Sequence, residues 1–208
     1  MQPPPFRIDY VGSTLSSVEF APDGLGLREK TRTYKIFNTP EQLYAAIRSH
    51  DSGLLATEER VRSKIEGLTG YRAEDVGSFG LLLNLPGSDL DLAIGVLPDD
   101  QKRVLELLHR EGMRFKGERP TSATTTRKVF ELDFENLQVD IGVLPRDDFD
   151  LLVSSLKRCV AEMTDQERVE HVWRKWNLKQ EGRREEYAQL KLEPYARFCP
   201  SFIWTPIL

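Results

Sequence analysis

Two segments of this 208-residue chain obey one pattern: an acidic residue, an apolar run of strand length, a proline and then aspartates. The first is Leu90-Asp91-Leu92-Ala93-Ile94-Gly95-Val96-Leu97-Pro98-Asp99-Asp100, and the second is Val139-Asp140-Ile141-Gly142-Val143-Leu144-Pro145-Arg146-Asp147-Asp148. Continuous apolar runs of this kind suit strands buried on both faces. A proline followed by aspartate stops a strand and caps the next helix. The pattern therefore predicts two strand-to-helix units within one α/β sheet. It is too short to count as an internal repeat.

The rest of the chain fits around these units. Phe6, Ile8 and Tyr10 alternate with Arg7 and Asp9 as a half-buried strand does, and Thr33 to Phe37 alternates again and is a candidate partner. Thr39-Pro40-Glu41-Gln42 predicts a capped helix start, with a helix to about Ser49; Thr57 starts another, striped by Val61, Ile65 and Leu68. Leu81, Leu82, Leu83 and Leu85 suggest a helix packed under the sheet. The first unit gives a strand from Ser88 to Leu97, capped by Asp99 or Asp100 into a helix burying Val104, Leu105, Leu107 and Leu108. Lys128 to Glu135 alternates Phe130, Leu132 and Phe134 with acids, and Asn136-Leu137 closes it as a hairpin onto the Asp140 strand. From Asp147 the pattern is helical: Leu152, Leu156 and Val160, then a capping box at Thr164-Asp165-Gln166-Glu167 before Val169, Val172, Trp173 and Trp176. Gly182 ends that helix, and Pro194 is expected to stop or kink the last one. Three parts are expected: an N-terminal strand extension over 1–39, a core over 40–146 and a helical C-terminal lobe over 147–208.

Charge narrows the function. Lys and Arg number 29 against 33 Asp and Glu, a net charge of −4 without a block of like charge, which argues against a protein that coats nucleic acid. The most apolar run, Phe79 to Leu85, is far shorter than the roughly 20 residues that span a bilayer. A soluble, cytoplasmic protein without a membrane partner is expected. Cys159 and Cys199 are the only cysteines and form no ligand pattern with His50, His109 or His171, so both are expected to be reduced and structural. His171, among helix charges, is expected at the surface. Trp173, Trp176 and Trp204 are expected to pack rather than to stack bases.

The chemistry lies in the acids. Asp89 and Asp91 stand two apart on a strand and so leave the same face of the sheet. Mg²⁺ or Mn²⁺ takes oxygen ligands and is commonly held by one or two carboxylates plus substrate phosphates. Two such ions clamp the attacking and leaving oxygens of an in-line displacement. Upstream, Val76-Gly77-Ser78-Phe79-Gly80 is a glycine–serine corner whose backbone N–H groups suit a triphosphate tail.

Gly77-Ser78, ten intervening residues and then Asp89-Leu90-Asp91-Leu92 resembles the signature of the DNA-polymerase-β-like nucleotidyltransferase superfamily. Gly87-Ser88-Asp89-Leu90-Asp91-Leu92 resembles its small members. The resemblance runs from about Arg72 to Leu144. It implies a mixed-sheet nucleotidyltransferase fold of the α/β class and a third carboxylate on a neighbouring strand. Val139-Asp140-Ile141 matches that position, and Leu132-Asp133-Phe134 has the same form. A tight hairpin is expected to set Asp133 across from Asp140, so either qualifies; the buried character of its strand favours Asp140. One departure stands out: from Ala73 through Gln101 there is no basic residue. The counter-charge for phosphates must come from elsewhere, and the candidates are Arg127, Lys128 and Lys191, the last in a Tyr187-x-x-x-Lys191 pattern.

The expected activity is Mg²⁺- or Mn²⁺-dependent transfer of a nucleoside monophosphate from an NTP to a hydroxyl, releasing pyrophosphate. Asp89, Asp91 and Asp140 bind metal, Asp140 assists the acceptor, and Gly77, Ser78, Lys128 and Lys191 hold phosphate. The acidic balance favours a small-molecule or protein acceptor. One rival is an RNA- or tRNA-directed enzyme or toxin, which needs a basic stripe from Arg168, Arg174, Lys175, Lys179, Arg183 and Arg184. The other is a non-catalytic nucleotide-binding module.

Overall fold

The computed structural model describes residues 14–20, 27–33, 37–85, 88–135 and 137–203, with backbone alone for 14–20, 27–33 and 49–54. Strands β1 (Thr14–Phe20) and β2 (Leu27–Thr33) pair antiparallel as a separate two-stranded sheet. The expected pairing partner over Thr33–Phe37 includes residues 34–36, which lie outside the described residues. The expected strand at Phe6–Tyr10 lies outside the described residues.

Helix α1 runs from Pro40 to Thr69 without a break. Thr39 caps it, its hydroxyl accepting from Gln42 N, while Gln42 reaches back to Asn38 N at 3.1 Å. Two helices were expected, one to about Ser49 and another from Thr57. One glycine in a helix costs only about 1 kcal/mol, and here both halves are anchored: Leu43 and Ile47 enter one apolar cluster, Val61 and Ile65 the other.

The main sheet has the order β3-β4-β7-β6-β5, comprising β3 (Ala73–Asp75), β4 (Leu90–Val96), β5 (Arg114–Pro120), β6 (Thr126–Phe134) and β7 (Leu137–Pro145). Only β4 and β7 run parallel; the other neighbours are antiparallel. The sheet is therefore mixed, as expected. Leu90, Leu92, Ile94 and Val96 of β4 pack with Val139, Ile141 and Val143 of β7 against the second half of α1 and helix α2 (Gln101–Arg110). The opposite face, with Ala93 and Leu144, packs against the first half of α1 and helices α3 (Arg146–Glu162), α4 (Asp165–Gln180) and α5 (Arg184–Phe198).

Four local expectations are corrected. Residues 81–85 do not form a helix: Leu82 takes φ 60°, Leu83 N donates to Ser78 O at 2.7 Å, and the buried Leu81, Leu83 and Leu85 sit on a tight turn and extended tail. Asp100 does not cap α2 with its side chain. It accepts instead from Tyr71 Oη at 2.5 Å and Arg103 Nε at 3.2 Å. Of the stop or kink expected at Pro194 the stop is absent, since the residue lies inside α5. His171 is buried, not superficial. The capping box at Thr164 and the turn at Gly182 (φ 70°) stand as expected.

Candidate active site

The parallel register of β4 and β7 sets Asp91 directly beside Asp140. Asp89 immediately precedes β4 and shares the face of Asp91 by strand alternation. One carboxylate oxygen from each of Asp89, Asp91 and Asp140 lies within 4.8 Å of the others. Ala93 and Leu144 stand on the same face, so the acids point toward the side covered by α3–α5.

Asp133 is not in this group. The hairpin pairs Phe134 with Leu137, which places Asp133 opposite Gln138 and Glu131 opposite Asp140. The expected Asp133–Asp140 apposition is off by two residues on each strand, and Asp133 is exposed. Asp140, 4% exposed, is the carboxylate that joins the pair.

Glycine at position 77 makes room for Asp91. A Cβ there would lie 2.7 Å from Asp91 Cβ and closer still to Oδ2. Val76 N donates to Asp91 O at 2.8 Å, fastening the Gly77-Ser78 corner to β4. Gly77 N–H donates to Asp75 Oδ1 at 2.9 Å, so this donor supports the corner from within. The Ser78 hydroxyl makes no hydrogen bond among the described residues.

The electrostatics show a shortage of positive charge. Burial, and then the neighbouring Asp89, push the Asp91 carboxyl up to about 7; Asp140 adds to the rise while Lys191 and Arg127 oppose it. Burial also pushes Asp75 up to about 7, against the hydrogen bond from Gly77. A close set of hard oxygen donors that resist ionising together is the donor set a small divalent cation satisfies. The residues present fit Mg²⁺ or Mn²⁺.

Cations approach from two sides. From the sheet edge, Lys116 Nζ donates to both oxygens of Asp140, at 2.9 and 2.8 Å, and lies 3.1 Å from Glu131. From the helical side, Lys191 stands over the Tyr187 ring at 5.9 Å and acts on Asp91 through space. Its ammonium forms no ion pair among the described residues. Lys175 is 1% exposed and donates to Leu83 O at 2.6 Å; burial, with Lys191 and Lys179 nearby, pushes its ammonium down to about 7. Tyr195 Oη donates to Val76 O at 3.0 Å. These two bonds tie α4 and α5 to the segment carrying Gly77 and Ser78.

Lys128 falls elsewhere. It pairs with Val143 on the face opposite Asp140, and its Nζ lies 3.6 Å from Glu118. Arg127 shares the face of Glu131, with Asp91 and Asp140 in its electrostatic surroundings. The basic stripe considered for RNA is largely dispersed: Arg168 and Lys175 are buried, Arg174 pairs with Glu193, and Arg183 pairs with Glu181 and Glu186.

Lys116, Glu131, Asp75 and Tyr195 were not among the site residues expected from sequence, and Lys175 was expected only as part of a basic stripe for RNA. Asp75 had a readable signal, an aspartate two residues before a glycine, which suits an Asx turn. Lys116 had none, because its strand was not legible.

No family model matches the chain, and no curated protein matches it. Solved structures do. It is similar to a cytoplasmic RNA terminal U-transferase, with 21% identity over 67% of this chain and 43% of that one, TM-score 0.41. It is similar to Cid1, described by its RNA terminal uridylyl transferase activity, with 18% identity over 67% and 44%, TM-score 0.45. A chain of the GLD-2/RNP-8 complex matches at 15% identity over 77% and 65%, TM-score 0.47. This chain thus spans 43–65% of the length of those three. At such identities and TM-scores an activity does not transfer by likeness, and the function rests on the side chains described above.

Proposed function

We propose that this chain is a divalent-metal-dependent nucleotidyltransferase, moving a nucleoside monophosphate from an NTP to a hydroxyl with release of pyrophosphate. One observation carries the reading: the register that sets Asp91 beside Asp140, with Asp89 contributing a third oxygen within 4.8 Å. Bound by these carboxylates, Mg²⁺ or Mn²⁺ supplies Lewis-acid activation of the acceptor oxygen and neutralises charge on the departing pyrophosphate.

The chain's own groups do the positioning. Asp89 and Asp91 present oxygens from one face, and Gly77 leaves the space in which Asp91 stands. The Ser78 hydroxyl, with no hydrogen bond among the described residues, and the Lys191 ammonium, seated over the Tyr187 ring with no ion pair among them, hold the β- and γ-phosphates. Asp140 faces the acceptor and draws its hydroxyl proton as the new oxygen–phosphorus bond forms and the bond to the β-phosphate oxygen breaks. Lys128, on the other face with Glu118, has no part in this reading.

The acceptor is a hydroxyl of a small molecule, a protein or an RNA terminus. The solved chains described by RNA-terminal transfer put RNA first among the acceptors to test. The dispersed basic residues of α4 add nothing to that choice. A second reading, a nucleotide-binding module without turnover, shares every contact up to the bond-breaking step.

The test is pyrophosphate release with Mg²⁺ or Mn²⁺ across ATP, GTP, CTP and UTP, each with RNA, small-molecule and protein hydroxyl acceptors, for wild type and Asp91→Asn. Release with at least one pair, lost in the variant, is expected. Nucleotide binding without release across the panel supports the module instead, and the absence of metal-dependent nucleotide binding overturns both.

A further inference from the structure

The hairpin sets two carboxylates, Glu131 and Asp140, directly across from one another on adjacent strands. Like charges so placed repel, and Asp140 also faces Asp89 and Asp91. A β-bulge resolves the conflict. Pairing between β5 and β6 shifts between Phe115 and Gly117, leaving Lys116 as the extra residue, and Gly117 takes φ 122°. The bulge delivers the Lys116 ammonium between the two acids. It bonds both oxygens of Asp140 at 2.9 and 2.8 Å and lies 3.1 Å from Glu131, while Arg114 holds Glu131 from the outer side.

We propose that Lys116 is a positioning residue that acts as an internal counter-cation. It holds Asp140 in place when no divalent ion is bound, and it yields that carboxylate to the ion by shifting onto Glu131. This deepens the nucleotidyltransferase reading and rests on its metal site. The reason is charge and space together. Both oxygens of Asp140 are engaged by one ammonium, so an arriving cation meets like charge at the carboxylate it needs, and Glu131 is already within reach as the alternative partner. Bulges are well suited to re-aim one side chain without moving the strand pairing around it. The consequence is a metal site that is tensioned: Lys116 stabilises the metal-free protein and weakens its hold on the ion.

The test is Mn²⁺ titration without nucleotide, followed by electron paramagnetic resonance, together with thermal unfolding with and without Mn²⁺. Lys116→Met is expected to bind Mn²⁺ more tightly, by roughly tenfold, as a competing positive charge is removed from Asp140. Its melting temperature is expected to be lower than wild type without Mn²⁺ and to recover when Mn²⁺ is added. Lys116→Arg, which keeps the charge, is expected to stay within about twofold of wild type, since a tenfold change needs a full 1.4 kcal/mol. Glu131→Gln is expected to weaken Mn²⁺ binding by removing the place to which Lys116 retreats, and to do so much less in the Lys116→Met background. Lys116→Gln serves as the neutral variant if the methionine protein does not fold. Unchanged or weaker Mn²⁺ binding in a folded neutral variant, or an equal effect of Glu131→Gln in both backgrounds, overturns the proposal. Failure of the wild type itself to bind Mn²⁺ overturns the metal site and, with it, the reading beneath.

Discussion

Gly77 and Gly95 show how differently two glycines constrain this protein. A Cβ at Gly95 would lie 2.6 Å from atoms of Phe149, and one at Gly77 would press on Asp91. Each change to alanine overpacks its site and is expected to cost about 1–3 kcal/mol in chemical denaturation. Only Gly77→Ala is expected to lower Mn²⁺ affinity as well, because only there is the displaced group one of the proposed metal ligands. Equal affinities in the two variants would separate Gly77 from the metal site. His171 gives a pH prediction. Burial, with Lys175 and Arg174 nearby, pushes its imidazole from the ordinary 6.5 down to about 3. The folded chain stays neutral there while the unfolded chain takes up a proton. The stability His171 provides above about 6.5 is therefore lost as pH falls toward 3. His171→Gln removes that loss, so urea denaturation at pH 7 and pH 4 is expected to show a smaller drop in the variant, by up to a few kcal/mol. A drop of the same size would contradict the burial of the ring. The grouping of Asp89, Asp91 and Asp140 was legible in sequence because strand alternation and register fix where such carboxylates point. His171, Asp75 and Lys175 were not, since each is set by what folds over it.

At the scale of elements, strand β4 and the β6–β7 hairpin were legible from continuous or alternating apolar residues. Strand β5 was not: Arg114-Phe115-Lys116-Gly117-Glu118-Arg119-Pro120 contains a single large apolar residue, and it is a strand because β6 supplies the partner. The hairpin register was legible in kind but misplaced by two residues, which decided between Asp133 and Asp140. The turn after Gly77 was misjudged because four leucines resemble a helix face, whereas Leu82 turns outward at φ 60°. Helix α5 meets that segment through Tyr195 Oη on Val76 O. Tyr195→Phe removes this donor from a buried carbonyl and is expected to cost about 1–3 kcal/mol. Mn²⁺ affinity is expected to hold while nucleotide affinity falls, as the Ser78 corner loosens from the helix bearing Lys191. A fall in Mn²⁺ affinity of the same size would mean that α5 orders the acids themselves.

Across the whole molecule, one sheet separates two apolar clusters. The cluster with α2 and the second half of α1 is the passive side. The other, with α3, α4, α5 and the first half of α1, shares its face with the acids. That division follows from the alternation of β4, whose leucines and isoleucine enter one cluster while Asp91 and Ala93 face the other way. The expected α/β architecture with C-terminal helices is present, and among the described residues no helix is long and apolar enough to cross a membrane. The proposed activity depends most on a divalent ion seated among Asp89, Asp91 and Asp140. Anomalous diffraction from a crystal soaked with Mn²⁺ and a non-hydrolysable NTP measures this directly. A Mn²⁺ peak at ligand distance from all three carboxylates is expected, with the triphosphate toward Ser78 and Lys191. A peak elsewhere, or none beside an ordered nucleotide, would contradict it.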